Sequence, residues 1–119
     1  MSDATERVEQ YADMFAAMGA EPRLRIMRLL LKAHPKGLIV GDIQDELGIP
    51  ASTLSHHLEK LKAERLVLVR RDGTFLWHTA NTEALQAILN FLYAECCTRG
   101  SEALVSITEP GRKPQRRMK

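Results

Sequence analysis

The chain has 119 residues, 45% of them hydrophobic and only 5% aromatic, enough for one compact domain with an aliphatic core and too little for two. Its formal charge of +2 is unevenly spread: setting aside Arg112, Lys113, Arg116, Arg117 and Lys119 from the 17 basic residues leaves 12 against 15 acidic ones. That excludes binding a polyanion through a global field, so any such binding has to come from a local patch. No apolar run approaches the ~18 residues of a membrane span, and the polar, acidic N-terminus lacks the form of a signal peptide. Cys96 and Cys97 are neighbours in sequence, with Cα atoms ~3.8 Å apart, short of ordinary disulfide spacing. These features predict a cytoplasmic protein with no membrane partner.

Val8, Tyr11, Ala12, Phe15 and Met18 recur at spacings of three and four, which predicts a first helix over about 6–18, ended by Gly19. A second starts at Glu21 or Pro22, where proline's missing N–H costs nothing. Its stripe is Leu24, Met27, Leu30 and Leu31, and it ends near His34. Ile43 and Leu47 mark a short helix stopped by Gly48, and Gly48-Ile49-Pro50 is a tight turn. The next helix runs over 51–63 with Leu54, Leu58 and Leu61 inside. Two helices joined by a short glycine-containing turn form a helix-turn-helix. Leu66 to Val69 is β-prone, and Asp72-Gly73 separates it from the alternating Phe75, Trp77 and Thr79. That is a strong hairpin signal, and a hairpin in this place is a wing. Asn81 is a good N-cap for a last helix with Leu85, Ile88, Leu89, Leu92 and Cys96 on one face and coil from near Gly100. The expected fold is α+β and mainly helical: a winged helix-turn-helix of five helices and a two-stranded β-hairpin over residues 1–108, then a disordered basic tail at 109–119.

With Leu54, Leu58 and Leu61 inward, ~100° per residue turns Ser52, His56, Glu59 and Ala63 outward, with Thr53 and Lys60 on one flank and Ser55 on the other. Short hydrogen-bonding groups at the front of such a helix can enter a major groove, and the free N–H groups of its first turn suit phosphate. Candidate DNA contacts are therefore Ser52, Thr53, Ser55, His56 and Lys60, joined by Arg70 and Arg71 near the hairpin tip, which can reach a minor groove or the backbone. Any solvated helix shows a polar face; the order of the parts is what favours DNA. His57 lies at the edge of the inner stripe and reads as a packed structural residue. Glu59 opposes DNA and reads as orienting a neighbour or facing water. Nothing points to an enzyme: there is no glycine-rich phosphate loop, nucleophile elbow or HExxH, and Ser55, His56 and His57 have no orienting carboxylate nearby.

Three stretches carry a resemblance: MGAEPRLRIMRLLL at 18–31, IQDELGIPASTLSHHLEKLKAERLV at 43–67 and VRRDGTFLWH at 69–78. Together they resemble the ArsR/SmtB family of bacterial repressors over roughly residues 8–98. The resemblance implies a homodimer held by the first and last helices, and double-stranded operator DNA as partner, with no cofactor required for binding it. It also implies release by an inducer, often a soft metal or metalloid. One arsenic-sensing group has a Cys-x-Cys pair in the first helix of the helix-turn-helix; Leu38-Ile39-Val40-Gly41-Asp42 has no cysteine. Zinc sensors of the family use Asp and His along the last helix; here the acids are Glu83 and Glu95, with no His. A further arsenic-sensing group carries adjacent cysteines at the end of that helix, much as in Ala94-Glu95-Cys96-Cys97-Thr98, and a third cysteine six residues on, where this chain has Ala103.

The implied ligand pair is thus Cys96 and Cys97, one thiolate short of the usual three. Two thiolates select thiophilic species and suit a trivalent arsenical: methylarsenite, or arsenite completed by water or a small-molecule sulfur. Adjacent side chains diverge by ~100° on a regular helix, so a clasp requires the helix end to unwind. Arg99 is expected to lower a thiol pKa modestly. The expected function is a dimeric repressor released by such an inducer. The alternatives are a redox-sensing regulator and an inducer-independent regulator of the same fold.

Overall fold

Five helices and one hairpin make up residues 3–100, the part of the chain that the computed structural model describes. They are α1 (Asp3–Met18), α2 (Glu21–Lys32), α3 (Val40–Leu47), α4 (Ala51–Ala63), β1 (Val67–Asp72), β2 (Phe75–Ala80) and α5 (Thr82–Tyr93). The basic tail at 109–119, the boundary expected at 108 and Ala103 lie outside the described residues. The element order is that of a winged helix-turn-helix.

Local chemistry sets the boundaries. Pro22 falls in the first turn of α2, where it has no intrahelical bond to lose. Gly48 ends α3 at φ +66, in the left-handed region, which glycine enters without a Cβ penalty. β1 and β2 pair antiparallel with Asp72 opposite Phe75, so Gly73 and Thr74 form the two-residue loop. Asn81 caps α5: its Oδ1 accepts from the Ala84 N–H at 3.2 Å. Its Nδ2 donates to the Arg65 carbonyl at 2.8 Å, which ties the turn after α4 to the start of α5.

The core is aliphatic. Met14 and Ala17 of α1, Ile26, Met27 and Leu30 of α2, Ile43 of α3, and Leu54, Leu58 and Leu61 of α4 close on Leu66, Val67, Ala80 and Ile88. Each large side chain so buried contributes ~1.5–3 kcal/mol of transfer free energy. The wing is fastened to this body at Leu38 and His78, which exchange backbone hydrogen bonds of 3.0 and 2.8 Å.

Three expectations need correction. Leu24 and Leu31 are exposed and Ile26 is buried in their place; α2 has a wider apolar face than the core covers, and the covered part centres on Ile26, Met27 and Leu30. α2 stops at Lys32, before His34. α5 stops at Tyr93, well short of Gly100, so Cys96 is not on its apolar face. The chain divides into two compact units, one ending at Ile88 and one beginning at Leu89. In the second, Leu89, Leu92 and Tyr93 are exposed.

Candidate DNA interface and thiol pair

α4 separates two kinds of side chain. Leu54, Leu58 and Leu61 are sealed in the core, while Ser52, Thr53, Ser55, His56 and Lys60 are all exposed. The helix follows Pro50, which gives no side-chain cap, and its first backbone bond is Leu54 N–H to the Pro50 carbonyl at 2.9 Å. The N–H groups of Ala51, Ser52 and Thr53 precede that bond, at the positive end of the helix dipole. An anion fits there. Glu59 pairs with Lys62 at 2.9 Å, in keeping with a residue that orients a neighbour.

His57 is half-buried, and its Nδ1 lies 3.2 Å from Arg23 Nη1. Arginine has only donors, so Nδ1 accepts and the ring proton sits on Nε2. Burial first, then the charges of Arg23 and His56, hold the His57 pKa below the ordinary imidazole value.

On the hairpin, Arg70 is opposite Trp77 and Arg71 opposite Leu76. Arg70 donates to the Lys36 carbonyl at 3.0 Å and lies over the Trp77 ring, 5.8 Å from its centroid. The Lys36 ammonium is 4.9 Å from the same ring, so the indole carries two cations. Arg71 is exposed. Below them His78 is buried, and its Nδ1 has no hydrogen-bond partner. Desolvation lowers its pKa, against an opposing hydrogen bond with the Leu76 backbone.

After α5 the backbone turns. The Cys96 N–H bonds the Tyr93 carbonyl at 2.9 Å, and Cys97 adopts φ +65. The two sulfurs come to 2.9 Å, both exposed and both free thiols. The unwinding that a two-sulfur clasp requires is thus already present. Cys97 is pushed up in pKa, chiefly by its hydrogen bond with Cys96 and then by burial. This corrects the expected lowering by Arg99: the shift runs upward, and its causes are the Cys96 contact and desolvation, with no part from Arg99. Among the described residues no group of three or more His, Cys, Asp or Glu is placed to hold a metal ion.

A family model described as a helix-turn-helix domain matches residues 18–70. The chain is 34% identical to nodulation protein NolR of Rhizobium meliloti over 87 residues, 73% of this chain and 69% of that protein. It is 31% identical to a transcriptional repressor, the SmtB homolog of Synechocystis, over 74 residues, 62% of this chain and 54% of that one. The solved homodimeric winged helix-turn-helix DNA-binding domain of Mb0332 from Mycobacterium bovis, a possible ArsR-family regulator, superposes with a TM-score of 0.63 at 28% identity, covering 80% of this chain and 89% of that one. The chain belongs to the ArsR/SmtB family.

This ArsR/SmtB member is accordingly a DNA-binding transcriptional regulator and not an enzyme. No helix among its described residues is long and apolar enough to cross a membrane. Sequence reasoning missed Arg23 as the partner of His57, and Lys36 and Trp77 as the mounting of Arg70. The first two are 34 positions apart, and no spacing rule joins residues at that range. For the wing the signal was the register itself: with Asp72 and Phe75 closing the loop, Arg70 has to face Trp77.

Proposed function

We propose that this ArsR/SmtB regulator is a homodimeric repressor that holds double-stranded operator DNA with α4 and its wing, and lets go when a trivalent arsenical closes on Cys96 and Cys97. The observation that carries the reading is the two-faced α4, sealed along Leu54, Leu58 and Leu61 and open along Ser52, Thr53, Ser55 and His56. The open side chains meet base edges in a major groove. Lys60, Arg70 and Arg71 meet the backbone or an adjacent minor groove.

Dimerisation is supported by exposed apolar residues on the first and last helices: Val8 and Phe15 on α1, and Leu89, Leu92 and Tyr93 in the second unit. A twofold pair covers such residues and matches a pseudo-palindrome with half-sites ~34 Å apart. DNA binding needs no cofactor. The ligand reading rests on the 2.9 Å approach of two exposed thiols. Methylarsenite offers two exchangeable positions for them, and arsenite leaves its third to water or a small thiol. Each sulfur forms its bond to arsenic as one arsenic-bound hydroxyl leaves, and that hydroxyl departs as water with the thiol proton, so the exchange needs no oxidant. A coupling of ~1–3 kcal/mol between the thiol pair and the DNA face weakens DNA binding 5–150-fold.

The test uses the full chain and the duplex that random-sequence selection returns for it, titrated with methylarsenite, arsenite, Zn(II) and hydrogen peroxide. The arsenicals are expected to release the wild type. The Cys96→Ser/Cys97→Ser variant is expected to keep its DNA affinity and not be released. Release by peroxide alone supports the redox alternative, and release by nothing supports an inducer-independent regulator; either overturns the arsenical assignment.

A further inference from the structure

We infer that Arg23 is the positioning residue of the DNA-reading helix: one guanidinium ties the end of α1 to His57 and thereby sets how α4 stands against the body. The inference rests on the reading of α4 as the DNA face.

Three observations carry it. Arg23 Nε donates to the Ala17 carbonyl at 2.6 Å. That carbonyl lies in the last turn of α1, where the helix itself supplies no partner. Arg23 Nη1 reaches His57 Nδ1 at 3.2 Å. The guanidinium is planar and its donors are fixed relative to one another, so satisfying both acceptors fixes the distance and angle between α1 and α4. Finally, His57 is the direct neighbour of His56, with ring centroids 5.9 Å apart. A shift of His57 therefore moves the residue proposed to meet DNA.

The tie works only while His57 is neutral, because a protonated ring has no acceptor and faces a guanidinium. The charges pressing on the ring are Arg23 of α2 and His56 of its own helix. The adjoining cleft, about 350 Å³, is lined by Asp13 of α1, Arg23 of α2 and Lys60 and Glu64 beside Ala63, so its acids and bases are evenly matched. As pH falls, protonation of His57 breaks the tie and weakens DNA binding.

The experiment has two arms. Ring ¹H–¹⁵N correlation spectra of the full chain read the His57 tautomer and titration. The expected result is a bare Nδ1 and a protonated Nε2, with the titration moving upward in Arg23→Gln, which removes the cation. The second arm measures affinity between pH 7.5 and 5.5 for the duplex returned by random-sequence selection and for a mixed-sequence duplex. His57→Ala is expected to lose about fivefold on the selected duplex. His57→Gln, whose amide oxygen accepts the same bond, is expected to regain it and, unable to protonate, to bind more tightly than wild type at the acid end. A proton on Nδ1, an unmoved titration in Arg23→Gln, or coincident pH profiles for His57→Gln and wild type would each overturn the assignment. If no duplex is bound specifically, the DNA reading fails while the spectra still decide the tie.

Discussion

Arg70 donates to the Lys36 carbonyl at 3.0 Å, and the two side chains share the Trp77 ring. The arginine so fastens β1 to the segment after α2, whereas Arg71, its neighbour on the other face of the strand, is exposed. Arg71→Ala is expected to weaken binding to all duplexes alike and to flatten the salt dependence by about one phosphate contact. Arg70→Ala is expected to do this and also to lower the melting temperature and shift the emission of Trp77, the chain's one tryptophan. Salt-titrated anisotropy and intrinsic fluorescence separate the two.

Gly37 holds the wing to the body. It sits at φ +85, and a Cβ there would lie 2.3 Å from the His78 carbonyl oxygen. Backbone is on the other side of that clash, and nothing flexible can yield. Gly37→Ala is expected to cost about 2–4 kcal/mol, read as a lowered urea midpoint, with loss of DNA binding as the Leu38–His78 pairing opens.

Asn81 is both a cap and a clamp. Asn81→Ala removes the Oδ1 cap on Ala84 and the Nδ2 bond to Arg65, at an expected cost of about 1–2 kcal/mol. Asn81→Asp keeps the acceptor and loses the donor, so its melting temperature is expected to lie between those of wild type and Asn81→Ala.

His78 makes stability depend on pH. Burial lowers its folded pKa below the ~6.5 of an unfolded imidazole. Between those two values the unfolded chain binds the extra proton. The contribution of the neutral ring is therefore full above pH ~6.5 and is lost as pH falls toward the folded value. Urea unfolding at pH 7.5 and 5.5 should show this loss in wild type and a smaller one in His78→Leu.

Much of this was legible in the sequence, because local chemistry decides it. Pro22, Gly48 and Asn81 punctuate the helices, the three leucines of α4 fix its inner stripe, and Asp72-Gly73 announces the hairpin. The early end of α5 was not legible: Leu92 through Glu95 favours a helix, and no breaker appears before Gly100. The thiol pair was legible as a pair but not as a contact, since its 2.9 Å geometry depends on that turn and on the left-handed Cys97. Exposure of Leu24 and Leu31 was hidden because periodicity marks an apolar face and does not say how much of it is covered.

The central claim is that the open front of α4 reads bases. The most direct measurement is the ratio of affinities for the selected duplex and a mixed-sequence duplex, in wild type and in a Ser52→Ala/His56→Ala variant of unchanged circular dichroism. The ratio is expected to fall about 10- to 100-fold as the base contacts are removed, while mixed-sequence binding changes little. An unchanged ratio would contradict the account.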